Sequence, residues 1–98
     1  MPYAKDMERE ISLEDKQAVT GMIDPSREID QTLIDGRPRW TFHLLVEGEP
    51  CQISGGKRLK NAFLIAGIRK WNAPRKVTVT ALGAARSFDR TYTVEVSA

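Results

Sequence analysis

The run Trp40-Thr41-Phe42-His43-Leu44-Leu45-Val46 sets Trp40, Phe42, Leu44 and Val46 against Thr41, His43 and Leu45. That is the period of two of a half-buried strand, and a helix cannot use it. Glu47-Gly48-Glu49 turns the chain, and Cys51 with Ile53 begins a return strand, so a hairpin is expected here. Pro50 has no amide to give to a ladder, which places the return strand at an edge or starts it after the proline.

The same reading extends along the chain. Val19, Gly21 and Ile23 share one side of a strand, and Asp24-Pro25-Ser26 is a turn. Ile29 and Leu33 keep a period of two while Ile34 breaks it, so residues 27–35 read as a strand, with a short helix as the alternative. From Lys57 to about Trp71 the period changes to that of a helix. Leu59, Ala62, Phe63 and Ala66 form one apolar stripe, and Leu64, Ile68 and Trp71 form a second. Asn72-Ala73-Pro74 ends the helix, because a residue before proline is pushed out of helical geometry. Val77, Val79 and Ala81 then alternate with threonines. Phe88, Tyr92, Val94 and Val96 do so in a last strand, after the hairpin loop Gly83–Ser87. The predicted fold class is a β-rich α+β domain: a small barrel or highly curved antiparallel sheet with one helix over about 57–71. Ninety-eight residues suit one domain. Residues 1–12 read as a mobile arm and 13–98 as the folded unit.

Charge separates the two halves. Residues 1–50 carry 6 basic and 11 acidic side chains, whereas residues 51–98 carry 9 basic and 2 acidic ones. Such asymmetry points either to a polyanion-binding surface or to two halves that pair with each other. Gly55-Gly56 leads into Lys57, Arg58 and Lys60 at the expected helix start, where carboxylates are the usual choice. An anion held by the glycine turn would account for this, as would side chains that simply spread into water.

Enzymatic chemistry finds little support. A P-loop needs a glycine at Cys51 and a hydroxyl at Arg58, so Gly56-Lys57 does not make one. His43 has no nucleophile in evident reach. Cys51 stands near Glu47 and Glu49, the opposite of the electropositive setting of a reactive cysteine. Asp24, Glu28, Asp30 and Asp35 match no calcium loop, and one Cys with one His makes a zinc site implausible. No cofactor, metal or catalytic residue is assigned. The apolar runs are too short to span a bilayer, so no membrane partner is expected. The single cysteine excludes an internal disulfide, and no charged-then-apolar leader opens the chain, both of which fit the cytoplasm.

Recognition of a polyanion remains. Arg37, Arg39, Lys57, Arg58, Lys60, Lys70, Arg75, Lys76, Arg86 and Arg90 cluster at the ends of elements, and with Arg69 they make 11 cations between residues 37 and 90. Brought together, such ends form a groove that tracks phosphates. Trp40, Trp71 and Tyr92 are the candidate stacking platforms beside them.

The run from Arg39 to about Val96 resembles small OB-fold-like proteins of phage and mobile elements that bind single-stranded DNA. The resemblance rests on Trp40 to Glu49, Leu59, Ala62, Gly67, Val77 to Thr80, Gly83 and Tyr92 to Val94. It implies an OB-like barrel with unpaired DNA as ligand; RNA offers the same phosphates and bases. The competing expectation is a protein–protein module, a regulator, inhibitor or assembly subunit, that self-associates through Leu64, Ile68 and Trp71.

Overall fold

The computed structural model describes residues 8–71, 73–84 and 90–97. Seven strands and one helix follow in the order β1 (Arg9–Glu10), β2 (Ala18–Ile23), β3 (Asp30–Ile34), β4 (Arg37–Val46), β5 (Glu49–Gly55), α1 (Lys57–Ile65), β6 (Lys76–Leu82) and β7 (Thr91–Val96). They make one sheet in the order β1-β5-β4-β2-β6-β7, with β3 also on β4. Every pairing is antiparallel except that of β1 with β5. β1 and β7 stand at opposite ends of the strand order and do not pair. Of the two expected forms, the curved antiparallel sheet is therefore the one adopted, and the barrel does not close.

The centre of the sheet is β4. One edge pairs with β5 along its length; the other is shared by β3, opposite residues 37–41, and β2, opposite Leu44 and Leu45. β2 and β3 thus act as a single bent strand with an excursion at 24–29. There the Asp24 carboxylate accepts hydrogen bonds from the Ser26 amide at 3.0 Å and the Ser26 hydroxyl at 2.6 Å. The β3–β4 connection is Asp35-Gly36 and the β4–β5 connection Glu47-Gly48, both with positive φ at the two turn residues. Such two-residue turns match the twist of the strands and lock their register. The region 27–35 is thus a strand, the first of its two readings. β5 is not an edge strand, but β1 reaches only Cys51 and Gln52, so Pro50 falls where no outer neighbour asks for its amide.

Burial follows the alternation. Phe42, Leu44, Ile53, Val77 and Val79 on one face of the sheet pack with Leu59 and Phe63 of α1. Phe42 and Phe63 stack with centroids 4.4 Å apart, and Trp71 stands 5.4 Å from each. The helix is six residues shorter than expected. Its C-cap is Ala66, and Gly67 has φ +92°, a left-handed conformation that glycine adopts without a Cβ clash. The Ile68 amide donates to the Phe63 carbonyl and the Gly67 amide to the Leu64 carbonyl, both at 3.0 Å, which is a Schellman ending. Gly67 is the stop signal, and it acts well before Pro74.

The two glycines before α1 have different tasks. A Cβ on Gly55 would lie 2.8 Å from the Leu59 Cβ and 2.7 Å from its Cδ2, whereas one on Gly56 would meet nothing within 4 Å. Gly55 allows α1 to turn back closely over β5. Gly55→Ala is expected to destabilise the fold by about 2 kcal/mol or more through overpacking. Gly56→Ala should change stability by under about 0.5 kcal/mol. Urea unfolding of the two variants checks the contrast, and equal midpoints would refute it.

Of the arm expected over residues 1–12, the described part is docked. Arg9 and Glu10 pair with β5, and the Ile11 amide donates to the Gln52 carbonyl at 2.7 Å. β7 begins at Thr91; most of the expected loop Gly83–Ser87, and the strand start expected at Phe88, lie outside the described residues.

Candidate functional site

A partly open cleft of about 250 Å³ lies between the start of the β3–β4 hairpin and the C-terminal end of α1. Phe42 and Phe63 line it beside the half-buried Trp40 and Trp71. Lys60, Arg69 and Lys70 bring three cations to it, and Ile29, Gln31, Leu64 and Ile68 complete the lining. No Asp or Glu lines the cleft among the described residues. The Lys60 ammonium sits 4.7 Å from the centre of the Trp40 ring, a cation–π contact that holds a charge over an aromatic face. The Trp71 Nε1–H is buried with no acceptor among the described residues.

Local sequence explains how these side chains meet. Trp40 and Phe42 share a face of β4 by parity. Gln31 stands directly opposite Trp40 in the ladder and so shares that face. Lys60 is on α1 one residue after Leu59, which is fully buried. The Schellman turn at Gly67 redirects the chain, so Ile68 enters the core while Arg69, Lys70 and Trp71 come back across the cleft.

The sequence-predicted cations do not form one channel. Arg37 and Arg39 lie on the face of the β3–β4 hairpin opposite Trp40, since the strand alternates. Lys57, Arg58, Arg75 and Lys76 are exposed but do not line the cleft. Arg58 donates to the Arg90 carbonyl at 3.2 Å. Arg90 is spent internally: its guanidinium donates to the Leu13 carbonyl and, at 3.0 Å, to the Tyr92 hydroxyl. Tyr92 packs against the core with that guanidinium 5.2 Å from its ring centre, which ties β7 to the loop at Leu13. Arg86 and Phe88 lie outside the described residues. At the helix start Gly56 gives no side-chain cap, and no acidic residue occupies the first turn. Of the predicted site, Trp40, Lys60, Lys70 and Trp71 converge.

Arg69 and Gln31 are members of the site that the sequence-based assignment omits. Arg69 adjoins Lys70-Trp71 and reads in the sequence as one more helical cation. Gln31 is legible in another way. Counting outward from the two-residue turn Asp35-Gly36 pairs 34 with 37, and so 31 with 40.

The other face of β4 holds the one buried charged cluster among the described residues. His43 is 2% exposed, hydrogen-bonded from Nδ1 to the Glu8 carboxylate at 2.9 Å and from Nε2 to Asp30 at 3.0 Å. Arg27 Nη2 lies 2.8 Å from the second oxygen of Glu8, close enough for an ion pair although not aligned as a hydrogen bond. The alternation of β4 puts His43 opposite Trp40 and Phe42, and there the residue is enclosed. Cys51 is buried too.

The second helical stripe is divided. Ile68 is 5% exposed and belongs to the core, while Leu64, 41% exposed, and the half-buried Trp71 line the cleft. Among the described residues the most exposed large apolar side chains are Ile65, Leu33 and Ile34.

No protein-family model, curated protein or solved structure matches this chain. Among the described residues no helix is long and apolar enough to cross a membrane.

Proposed function

We propose that this protein is a non-enzymatic single-stranded nucleic-acid-binding domain, acting in the cytoplasm, that seats one base of an unpaired strand in the Trp40–Trp71 cleft. The observation that carries the reading is the convergence of both tryptophans of the chain on one cleft with Lys60, Arg69 and Lys70 around it. Aromatic faces take bases, and cations take the phosphates on either side. The cleft volume of about 250 Å³ falls below the roughly 300–1,000 Å³ of sites that enclose a whole small molecule. It suits one ring system, with the rest of the polymer outside. The bent β2–β3 run, β4, β5, the helix, β6 and β7 form five strands in an open curved sheet, an arrangement in keeping with the OB-like reading. DNA is the ligand that the resemblance to phage and mobile-element proteins implies.

Because both indoles line the cleft, intrinsic fluorescence reports on it without a label. Titration with a single-stranded oligonucleotide at low salt is expected to quench the emission, and raising the salt should restore it. Matched duplex DNA should leave it nearly unchanged. Unaltered emission with micromolar protein and excess single strand rejects the proposal.

A second reading, a protein-docking module, has its own observation: Ile65 is 87% exposed and Leu33 72% exposed, with Leu33 on the Trp40 face of the hairpin. Sedimentation at two salt concentrations separates the two. A stable oligomer without oligonucleotide affinity favours docking.

A further inference from the structure

The lining of the cleft is one-sided in its hydrogen bonding. Lys60, Arg69 and Lys70 can only donate. With no carboxylate among the described lining residues, the one side-chain acceptor that lines it is the carboxamide oxygen of Gln31. Gln31 is exposed, stands across from Trp40, and has no side-chain hydrogen bond to another described residue. Its carboxamide is free to turn toward a ligand edge.

Resting on the nucleic-acid reading, we infer that the cleft is a keto-base pocket, which takes thymine or uracil in preference to cytosine, with Gln31 as the residue that sets the preference. Thymine and uracil present two ring carbonyls, acceptors that suit a wall of ammonium and guanidinium donors. Their single ring N–H matches the Gln31 oxygen. Cytosine carries an amino group where thymine has its O4 acceptor, and a bare N3 where thymine has its N–H, so two N–H donors stand in place of an acceptor against a wall of donors. Either an N–H is left unmet or the base tilts out of the stack. Sites that pair a ligand's polar groups reject the analogue that leaves those groups unpaired far better than apolar pockets reject a change of size. The two pyrimidines are alike in ring size and stacking area, so this difference is not a matter of fit.

The test compares dT12 with dC12 by quenching of the intrinsic fluorescence at one fixed low salt concentration. The wild-type protein is expected to bind dT12 about ten-fold or more tightly than dC12, the scale of one well-made hydrogen-bonded base pairing with a side chain. Gln31→Leu removes the partner of the thymine N3–H and should narrow the ratio by about three-fold. Gln31→Glu offers two acceptor oxygens to an amino group and should turn the preference toward dC12. Its added repulsion of phosphates weakens both oligomers together and leaves the ratio readable. Gln31 is exposed on β3, so circular dichroism should show both variants folded. Equal affinity of the wild type for the two oligomers overturns the pocket's selectivity while leaving base stacking intact, as does a ratio unmoved by both variants. Absence of quenching by either oligomer overturns the pocket along with the function beneath it.

Discussion

Replacement of His43 by alanine is expected to lower the free energy of unfolding by roughly 3 kcal/mol, because it strips a nearly inaccessible carboxylate of a hydrogen-bond partner and leaves a cavity. His43 and Glu8 both have nearly inaccessible side chains. Without the imidazole, one Glu8 oxygen faces an apolar void. Two features keep the cost from being higher. Asp30 is 62% exposed and can return to water, and Arg27 still stands 2.8 Å from the other Glu8 oxygen. For a domain of this size that loss corresponds to a fall in melting temperature of about 12–24 °C. Double-mutant cycles sharpen the expectation: His43 with Glu8 should couple by well over 1 kcal/mol, and His43 with exposed Asp30 by under about 1 kcal/mol. Calorimetry of the three single and two double variants measures both. A His43→Ala protein as stable as the wild type would show that the cluster is held in place by its neighbours and contributes nothing. The cluster matters beyond stability, because it ties Glu8, Arg27 and the start of β3 to β4, and Ile29 and Gln31 on either side of Asp30 line the cleft.

The second large effect is on binding. The triple variant Lys60→Ala, Arg69→Ala, Lys70→Ala is expected to reduce single-strand affinity by two orders of magnitude or so at low salt. It should also lower the slope of log affinity against log salt by about 2, at about 0.7 for each phosphate that is no longer neutralised. Trp40→Leu should weaken binding by roughly 5- to 150-fold, the worth of one stacked base, and leave that slope unchanged. Arg39→Ala is the control. It lies on the opposite face of the hairpin, so its effect should stay within about two-fold. If Arg39→Ala costs as much as the triple variant, the ligand runs over the wrong face for the cleft. Anisotropy titrations of a labelled dT12 at four salt concentrations resolve slope and intercept separately.

How much is legible in the sequence depends on the range of the interactions concerned. Alternation over Trp40–Val46 and over Lys76–Leu82 foretells those strands and their buried residues, because which side of a strand faces the core is a local property. The helix is legible for the same reason, but its end is not: the pattern of Leu64, Ile68 and Trp71 continues smoothly past Gly67 and hides the glycine's action as a stop. In the site, Trp40, Lys60, Lys70 and Trp71 are the predicted members that do become neighbours. Arg37, Arg39 and Arg90 group with them on charge alone, and charge carries no information on which way a side chain points.

The sequence by itself determined a strand-rich domain with one helix, the period of most of its strands, and a surplus of cations in its second half. Those follow from backbone geometry and composition, which act over a few residues. Tertiary structure decided the rest. Contacts between segments far apart in the chain committed Arg90 to Leu13, enclosed His43 against Glu8, and left a cleft where two indoles meet three cations. The reason is physical: a strand's register fixes every face at once, and register is settled by which partners lie alongside.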